Sequence, residues 1–391
     1  MQSYPSWIWS HPNWPAFPFD AAALAPVLKV AHQRKGELIG RAAALGLDDI
    51  NPAVAKAWAA EALATAGIEG EALDPQSVRS SIAIRLGLDV QGAAPAARDV
   101  EGLLNVLGDA ACNFSADLTL ERLCGWHAAL FPSGYSGLHR IEVAKLRTSA
   151  EAMRIVSGTV GRQSIHFQAP AATGLPQEME RFLKWFNASS QPQEAPASDP
   201  AAQPDGLVRA GLAHLWFETL HPFDDGNGRL GRAIVQLALA QDAGLPARVM
   251  TLARQLEVKR DDYYRQLEVA QRGASLDVTP WLVWFVEQVS EACLYAISAM
   301  ESSLQSMRFR ARHAKWPMNA RQSKVLKKLL DAGPGGFSGG MTTRKYAATT
   351  GVHKITAARD LIQLAGWEVL QTLGEGRSTR YYPNLPGWVE G

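Results

Sequence analysis

Cysteine is scarce in this chain of 391 residues: Cys112, Cys124 and Cys293 are all it has. They include no Cys-x-x-Cys pair, and no His/Cys cluster with metal-ligand spacing accompanies them. Such thiols are expected to be reduced and buried, as in a cytoplasm. Long apolar runs are missing too. None approaches the ~20 residues of a membrane span, so no membrane partner is expected. The first residues, Met-Gln-Ser-Tyr-Pro-Ser-Trp, offer neither a basic n-region nor an apolar h-region, so no secretory signal is expected and the location reads as cytoplasmic. No internal repeat is found. Net charge is also small, +1 at pH 7.

That near-neutral balance hides an asymmetry. Residues 308–391 hold 14 Lys+Arg against 5 Asp+Glu, a surplus of +9, while residues 1–307 hold 25 against 33, or −8. A basic tail on an acidic body suggests a partner for the tail that the body does not share. Hydrophobic content of 47% and charged content of 20% are those of a soluble globular protein. The length suggests two or three domains.

Trp7, Trp9, Trp14, Phe17 and Phe19 alternate with prolines in the first 20 residues and read as an aromatic arm packed on the body. Helical spacing follows over 21–45, 52–66, 75–86, 103–114 and 118–130. Residues 134–137 read as a turn. Residues 155–160 and 164–167 read as a hairpin turning at Gly161. A helix is expected over 176–186, a Ser/Pro/Gln/Ala-rich surface linker over 188–205, and helices from 206 to about 300.

The densest chemistry lies in His221-Pro-Phe-Asp-Asp-Gly-Asn-Gly-Arg-Leu-Gly-Arg232. His221 can take a proton near neutral pH. Asp225 offers a hard oxygen for Mg²⁺, which prefers one or two carboxylates plus substrate phosphates. Gly226 and Gly228 let backbone N–H groups approach an anion closely. The loop empties into an apolar helix, whose N-terminus favours phosphate. Arg229 and Arg232, three apart, can point to one side of that helix. Gly226, Gly228 and Gly231 also spell Gly-x-Gly-x-x-Gly. A dinucleotide-binding reading fails, because 208–220 looks helical where that motif needs a strand.

The dodecamer resembles the Fic family signature, His-x-Phe-x-Asp/Glu-Gly-Asn-Gly-Arg-x-x-Arg, at every fixed position. The resemblance covers roughly residues 118–289. It implies a mainly α, Fic-type helical domain with a small β-hairpin flap. It also implies transfer of AMP from ATP to a Ser, Thr or Tyr hydroxyl of a protein. His221 would be the base and Asp225 the ligand of Mg²⁺ or Mn²⁺. Gly226, Asn227 and Gly228 would cradle the anion. Arg229 would meet the β-phosphate and Arg232 the γ-phosphate, with a buried Phe223 fixing the loop. A target protein would add a strand to the flap, 154–167. Relatives often dimerise, so a homodimer stays open.

Upstream, Thr65-Ala-Gly-Ile-Glu-Gly70 resembles the family's inhibitory pattern, Ser/Thr-x-x-x-Glu-Gly/Asn. The resemblance implies that Glu69 pairs with Arg232 and displaces the γ-phosphate. Thr65, one turn earlier, could hydrogen-bond Glu69, and Gly67 could loosen the helix. Residues 308–391 resemble a winged-helix domain, with helices at 321–331, 342–349 and 353–364 and strands at 367–372 and 378–382. Lys354, Arg359, Arg377 and Arg380 are its basic candidates, and DNA contact and protein contact both stay open. The expected domains are 1–75, ending in the inhibitory helix; 76–300, catalytic; and 308–391. Two alternatives to AMP transfer remain: removal of AMP from a target, and a nucleotide-sensing DNA-binding regulator.

Overall fold

The computed structural model describes residues 7–45, 47–88, 97–151, 153–157, 164–190, 204–244, 249–272 and 275–388. The chain divides into two compact units, Met1–Ile297 and Ser298–Gly391.

The first unit opens with the aromatic arm. Helix α1 (Ala21–Ala43) follows, with Asp20 accepting from the Ala22 amide as its cap. Helix α2 (Leu47–Ile68) runs unbroken through Gly67. Helix α3 (Pro75–Arg85) starts on an Asp74 cap with proline in its first turn. Helices α4 (Arg98–Cys112) and α5 (Leu120–Leu130) come next. Residues 134–137, expected as a bare turn, belong to a small hairpin of β1 (Tyr135–Ser136) and β2 (His139–Arg140). A second hairpin pairs β3 (Arg154–Ser157) with β4 (Ser164–Gln168), with a bulge between Ile155 and Val156. The turn expected at Gly161 lies outside the described residues.

Helix α6 (Leu175–Ala188) leads into the linker segment. Its described ends are not linker-like: Ser189 is buried, and Asp205 caps the next helix through the Leu207 amide. Residues 191–203 lie outside the described set. Helices α7 (Gly206–Leu220) and α8 (Asn227–Ala243) form the centre of the unit. Every residue of α7 from Leu207 to Leu220 is buried, including the polar Arg209, His214, Glu218 and Thr219. Helices α9 (Leu252–Val258) and α10 (Arg260–Gln271) and the first part of α11 (Thr279–His313), up to Ile297, complete the body. Helix α2 packs on α9 and α3 and reaches α8, while α4 packs on α5 and α8. The motif loop, 221–226, therefore joins the two most enclosed helices.

The arm packs as the sequence suggests. Trp7 meets Phe167 edge-on at 5.4 Å, and Trp9 donates to the Gln168 carbonyl at 2.7 Å. Trp14 and Phe17 pack on Trp216 of α7. The arm thus fixes β4 of the hairpin.

The second unit contains α12 (Ala320–Ala332), α13 (Thr343–Thr350), α14 (Lys354–Gly366), β5 (Leu370–Leu373) and β6 (Arg380–Pro383). Strands β5 and β6 pair antiparallel, and Met341 bridges to Tyr381. Its core gathers Phe309, Val325, Leu329, Tyr346, Leu361, Leu364, Val369 and Trp388. The expected interval between domains, 301–307, is helical, because α11 continues to His313.

Candidate active site

Helix α7 ends at Leu220 because His221 turns the chain into the left-handed region, at φ 46°. Its amide still donates to the Phe217 carbonyl at 3.0 Å, so the residue caps the helix. The imidazole keeps 14% exposure. Burial lowers its pKa to about 4; the Glu218 carbonyl acts against this and Arg147 with it. His221 is therefore neutral at pH 7, a weaker base than an exposed imidazole.

Three groups that the sequence did not single out hold the loop. Arg147 is buried; it donates to the carbonyls of His221 at 2.8 Å and Pro170 at 2.6 Å. His127 stacks on Phe223 with ring centroids 4.5 Å apart. Its Nδ1 accepts from the Ala144 amide at 3.1 Å, which leaves Nε2–H to donate to the Asp225 carbonyl at 3.2 Å. Ser136 donates to the Asp225 carboxylate. All three come from segments distant in sequence, and only long-range contact identifies them.

Phe223 is fully buried, as expected. Asn227 differs from expectation in how it is used. Its side chain closes a ring with Phe223, accepting from the amide at 3.0 Å and donating to the carbonyl at 2.8 Å. Only its main-chain N–H is left for a cradle. Gly226, at φ 77°, is the N-cap of α8. A Cβ at Gly228 would strike Glu69 and Arg232, so that close approach requires glycine.

Arg232 and Arg229 both lie against the end of α2. Arg232 is 3% exposed. Its Nη2 donates to Glu69 at 2.7 Å and to the Thr65 carbonyl at 2.9 Å, and its Nε donates to Thr65 Oγ1 at 2.8 Å. The expected Thr65–Glu69 bond is replaced: the hydroxyl serves Arg232, a buried guanidinium that needs every acceptor within reach. Burial alone would lower the Arg232 pKa, but Glu69 offsets it and holds the pKa above its usual value. Arg229 Nη1 donates to both oxygens of Glu71, at 2.7 and 2.8 Å, a contact the sequence reading missed. Arg232 Nη1 and Arg229 Nε are buried without hydrogen-bond partners. Such donors suit an anion.

Asp225 is the carboxylate at hand for a metal, and its side chain is 43% exposed. Among the described residues no three His, Cys, Asp or Glu side chains gather to enclose an ion. One carboxylate beside unsatisfied arginine donors fits Mg²⁺ that takes its other ligands from phosphate and water.

Residues 117–239 match the Fic/DOC family model, and residues 7–88 match a domain of unknown function, DUF4172. The chain is 35% identical over 100 residues to protein adenylyltransferase fic-1 of Caenorhabditis elegans, covering 25% of this chain and 18% of the relative. It is 25% identical over 231 residues to protein adenylyltransferase Fic of Drosophila mojavensis, covering 58% of this chain and 39% of the relative. The chain thus spans less than half the length of these relatives. Among solved structures, a Fic family protein from Desulfovibrio desulfuricans G20 matches with TM-score 0.53 at 20% identity, covering 94% of this chain and 98% of that one. A Fic domain containing signaling protein from Bacteroides thetaiotaomicron VPI-5482 matches with TM-score 0.52 at 16% identity, covering 70% and 97%. The mainly helical fold is shared with these structures, and the segment that carries the motif is a Fic/DOC domain.

Proposed function

We propose that this protein transfers AMP from ATP to a protein hydroxyl and is held inactive by Glu69 on Arg232. The carrying observation is that one loop joins a neutral His221 to two arginines, both occupied by carboxylates just past the end of α2. In the reaction the acceptor oxygen bonds to the α-phosphorus. The bond from that phosphorus to the β-bridging oxygen breaks, and pyrophosphate leaves. His221 takes the hydroxyl proton. Arg229 and Arg232 hold the β- and γ-phosphates, and the free N–H groups of the first turn of α8 face the anion. Asp225 would hold Mg²⁺, which supplies charge neutralisation for the leaving group. Catalysis here is positioning and charge.

Strand β3 suits target docking. The carbonyls of β4 at Ile165, His166 and Gln168 are taken by Arg272 and Trp9, while Ile155 and Val156 of β3 are exposed. A target strand would add to β3. Removal of AMP and nucleotide sensing without turnover are not favoured, since the relatives are named adenylyltransferases. The test uses ATP labelled at the α-phosphate. Glu69→Gly must label protein, and Glu69→Gly with His221→Ala must not.

For the second unit we propose a winged-helix module that contacts duplex DNA. Lys354 and Arg359 are exposed on α14, and Arg344, Lys354 and Arg380 line one concave surface. The Arg377 side chain lies outside the described set. Affinity should fall steeply with salt, and Lys354→Ala with Arg359→Ala should weaken it. Absence of duplex binding at low salt would leave only the protein-contact role.

A further inference from the structure

The end of α2 carries a second carboxylate, and its position follows from the backbone. Gly70 adopts φ 79°, the left-handed conformation that ends a helix without a Cβ penalty. The Glu71 amide then folds back to the Ala66 carbonyl at 3.0 Å, and the Gly70 amide bonds the Gly67 carbonyl at 3.0 Å. This closure reverses the chain directly after Glu69. Glu69 lies on the last turn and meets Arg232; Glu71 lies past the reversal and meets Arg229. Tyr264 of α10 donates to the Ile68 carbonyl at 3.2 Å and fastens the same end.

We propose that Glu71 is a second inhibitory carboxylate, occupying the Arg229 subsite of a nucleotide's β-phosphate while Glu69 occupies Arg232. The inference rests on the phosphate roles proposed above. Arg229 has no comparably close acidic partner among the described residues: Asp225 stands 3.8 Å from its Nη2, whereas Glu71 offers both oxygens to Nη1. The Arg229 side chain is 7% exposed and its guanidinium lies over the Phe131 ring at 4.8 Å, so it has little freedom to meet a phosphate elsewhere. Any nucleotide that engages Arg229 through Nη1 must first displace Glu71. The two latches differ in what they oppose. Glu69 competes with a γ-phosphate, which ADP lacks. Glu71 competes with a β-phosphate, which ADP and ATP share.

ADP separates them. Calorimetric titration of the full chain with ADP and Mg²⁺ is compared for wild type, Glu69→Gln, Glu71→Gln and Glu71→Gln with Arg229→Ala. Glu71→Gln should tighten ADP by about fivefold, the scale of a half-exposed ion pair. Glu69→Gln should stay within about twofold of wild type, because ADP does not reach Arg232. The double variant should lose the gain. Glu71 is half-exposed, so the isosteric change should leave folding intact, and Glu71→Ala provides a second variant. The inference is overturned if neither Glu71 variant binds ADP more tightly than wild type. In that event, label transfer by Glu69→Gly would still support the proposed function. If no variant binds ADP, the Arg229 phosphate role and the inference fall together.

Discussion

At the scale of single residues, the proposed reaction asks one thing of His221, to accept a proton. Its neutral imidazole suits that task. His221→Ala should therefore lower transfer by about 10²–10⁴-fold. ATP affinity, measured separately by calorimetry, should change little, since no phosphate role is assigned to this side chain. A mutant that transfers at the wild-type rate would reject the assignment. The residues of this chemistry were legible because they are contiguous, 221–232. Glu71, Ser136, His127 and Arg147 were not: each acts through a contact across at least 74 positions of chain, and no local spacing encodes that. Thr65 was legible as part of a pattern, but its partner was not. Its hydroxyl could serve Glu69 or Arg232, and the buried guanidinium takes it.

At the scale of elements, the proposed inhibition rests on the end of α2. Gly70→Ala would place a Cβ in the left-handed conformation at a cost of about 1 kcal/mol. The reversal that sets Glu69 and Glu71 on their arginines would loosen. Labelling by Gly70→Ala should rise above wild type while its melting temperature falls by a few degrees. An unchanged labelling rate alongside a lowered melting temperature would show that the turn only stabilises the fold. Helix existence was largely readable from apolar periodicity. Boundaries were less so. Helix α4 begins at Arg98 and not at 103, because its first turn carries Asp99 and Glu101, acids that favour a helix N-terminus but show no apolar pattern. Gly67 did not break α2. Its missing Cβ instead gives room to Glu257 of α9, a packing reason that helix propensity cannot express.

At the scale of the whole molecule, four buried groups with large shifts contribute to the response to pH. His214 is held down to about 3 and His221 to about 4, both by burial. Glu61 is raised to about 7 and Glu218 to about 8, again by burial. Below the ordinary histidine value of 6.5 the unfolded chain gains protons that the folded histidines refuse, which lowers stability. Above the ordinary glutamate value of 4.5 the unfolded chain releases protons that the folded glutamates keep, which also lowers stability. Between 4.5 and 6.5 the two proton differences cancel, so these groups give a plateau there, with losses on either side. Glu218→Gln removes one source of the alkaline loss. It should melt higher than wild type at pH 8 and differ less at pH 5.5. Equal differences at both pH values would mean that Glu218 does not carry a raised pKa. No described helix is long and apolar enough to cross a membrane. The charge division between body and tail was legible from composition alone.

The proposed transferase would be switched off by Glu69 on Arg232, and one rate tests that proposal. Incorporation of α-phosphate label from ATP into protein is followed for wild type, Glu69→Gly, and Glu69→Gly with Arg232→Ala. A closed form favoured by about 3 kcal/mol leaves under about 1% of molecules competent, so Glu69→Gly should label faster by about one to two orders of magnitude. The double variant should lose much of that gain, because the freed arginine is what positions ATP. Labelling by Glu69→Gly at the wild-type rate would contradict the account, and Glu69 would then be a structural partner of Arg232 and no latch.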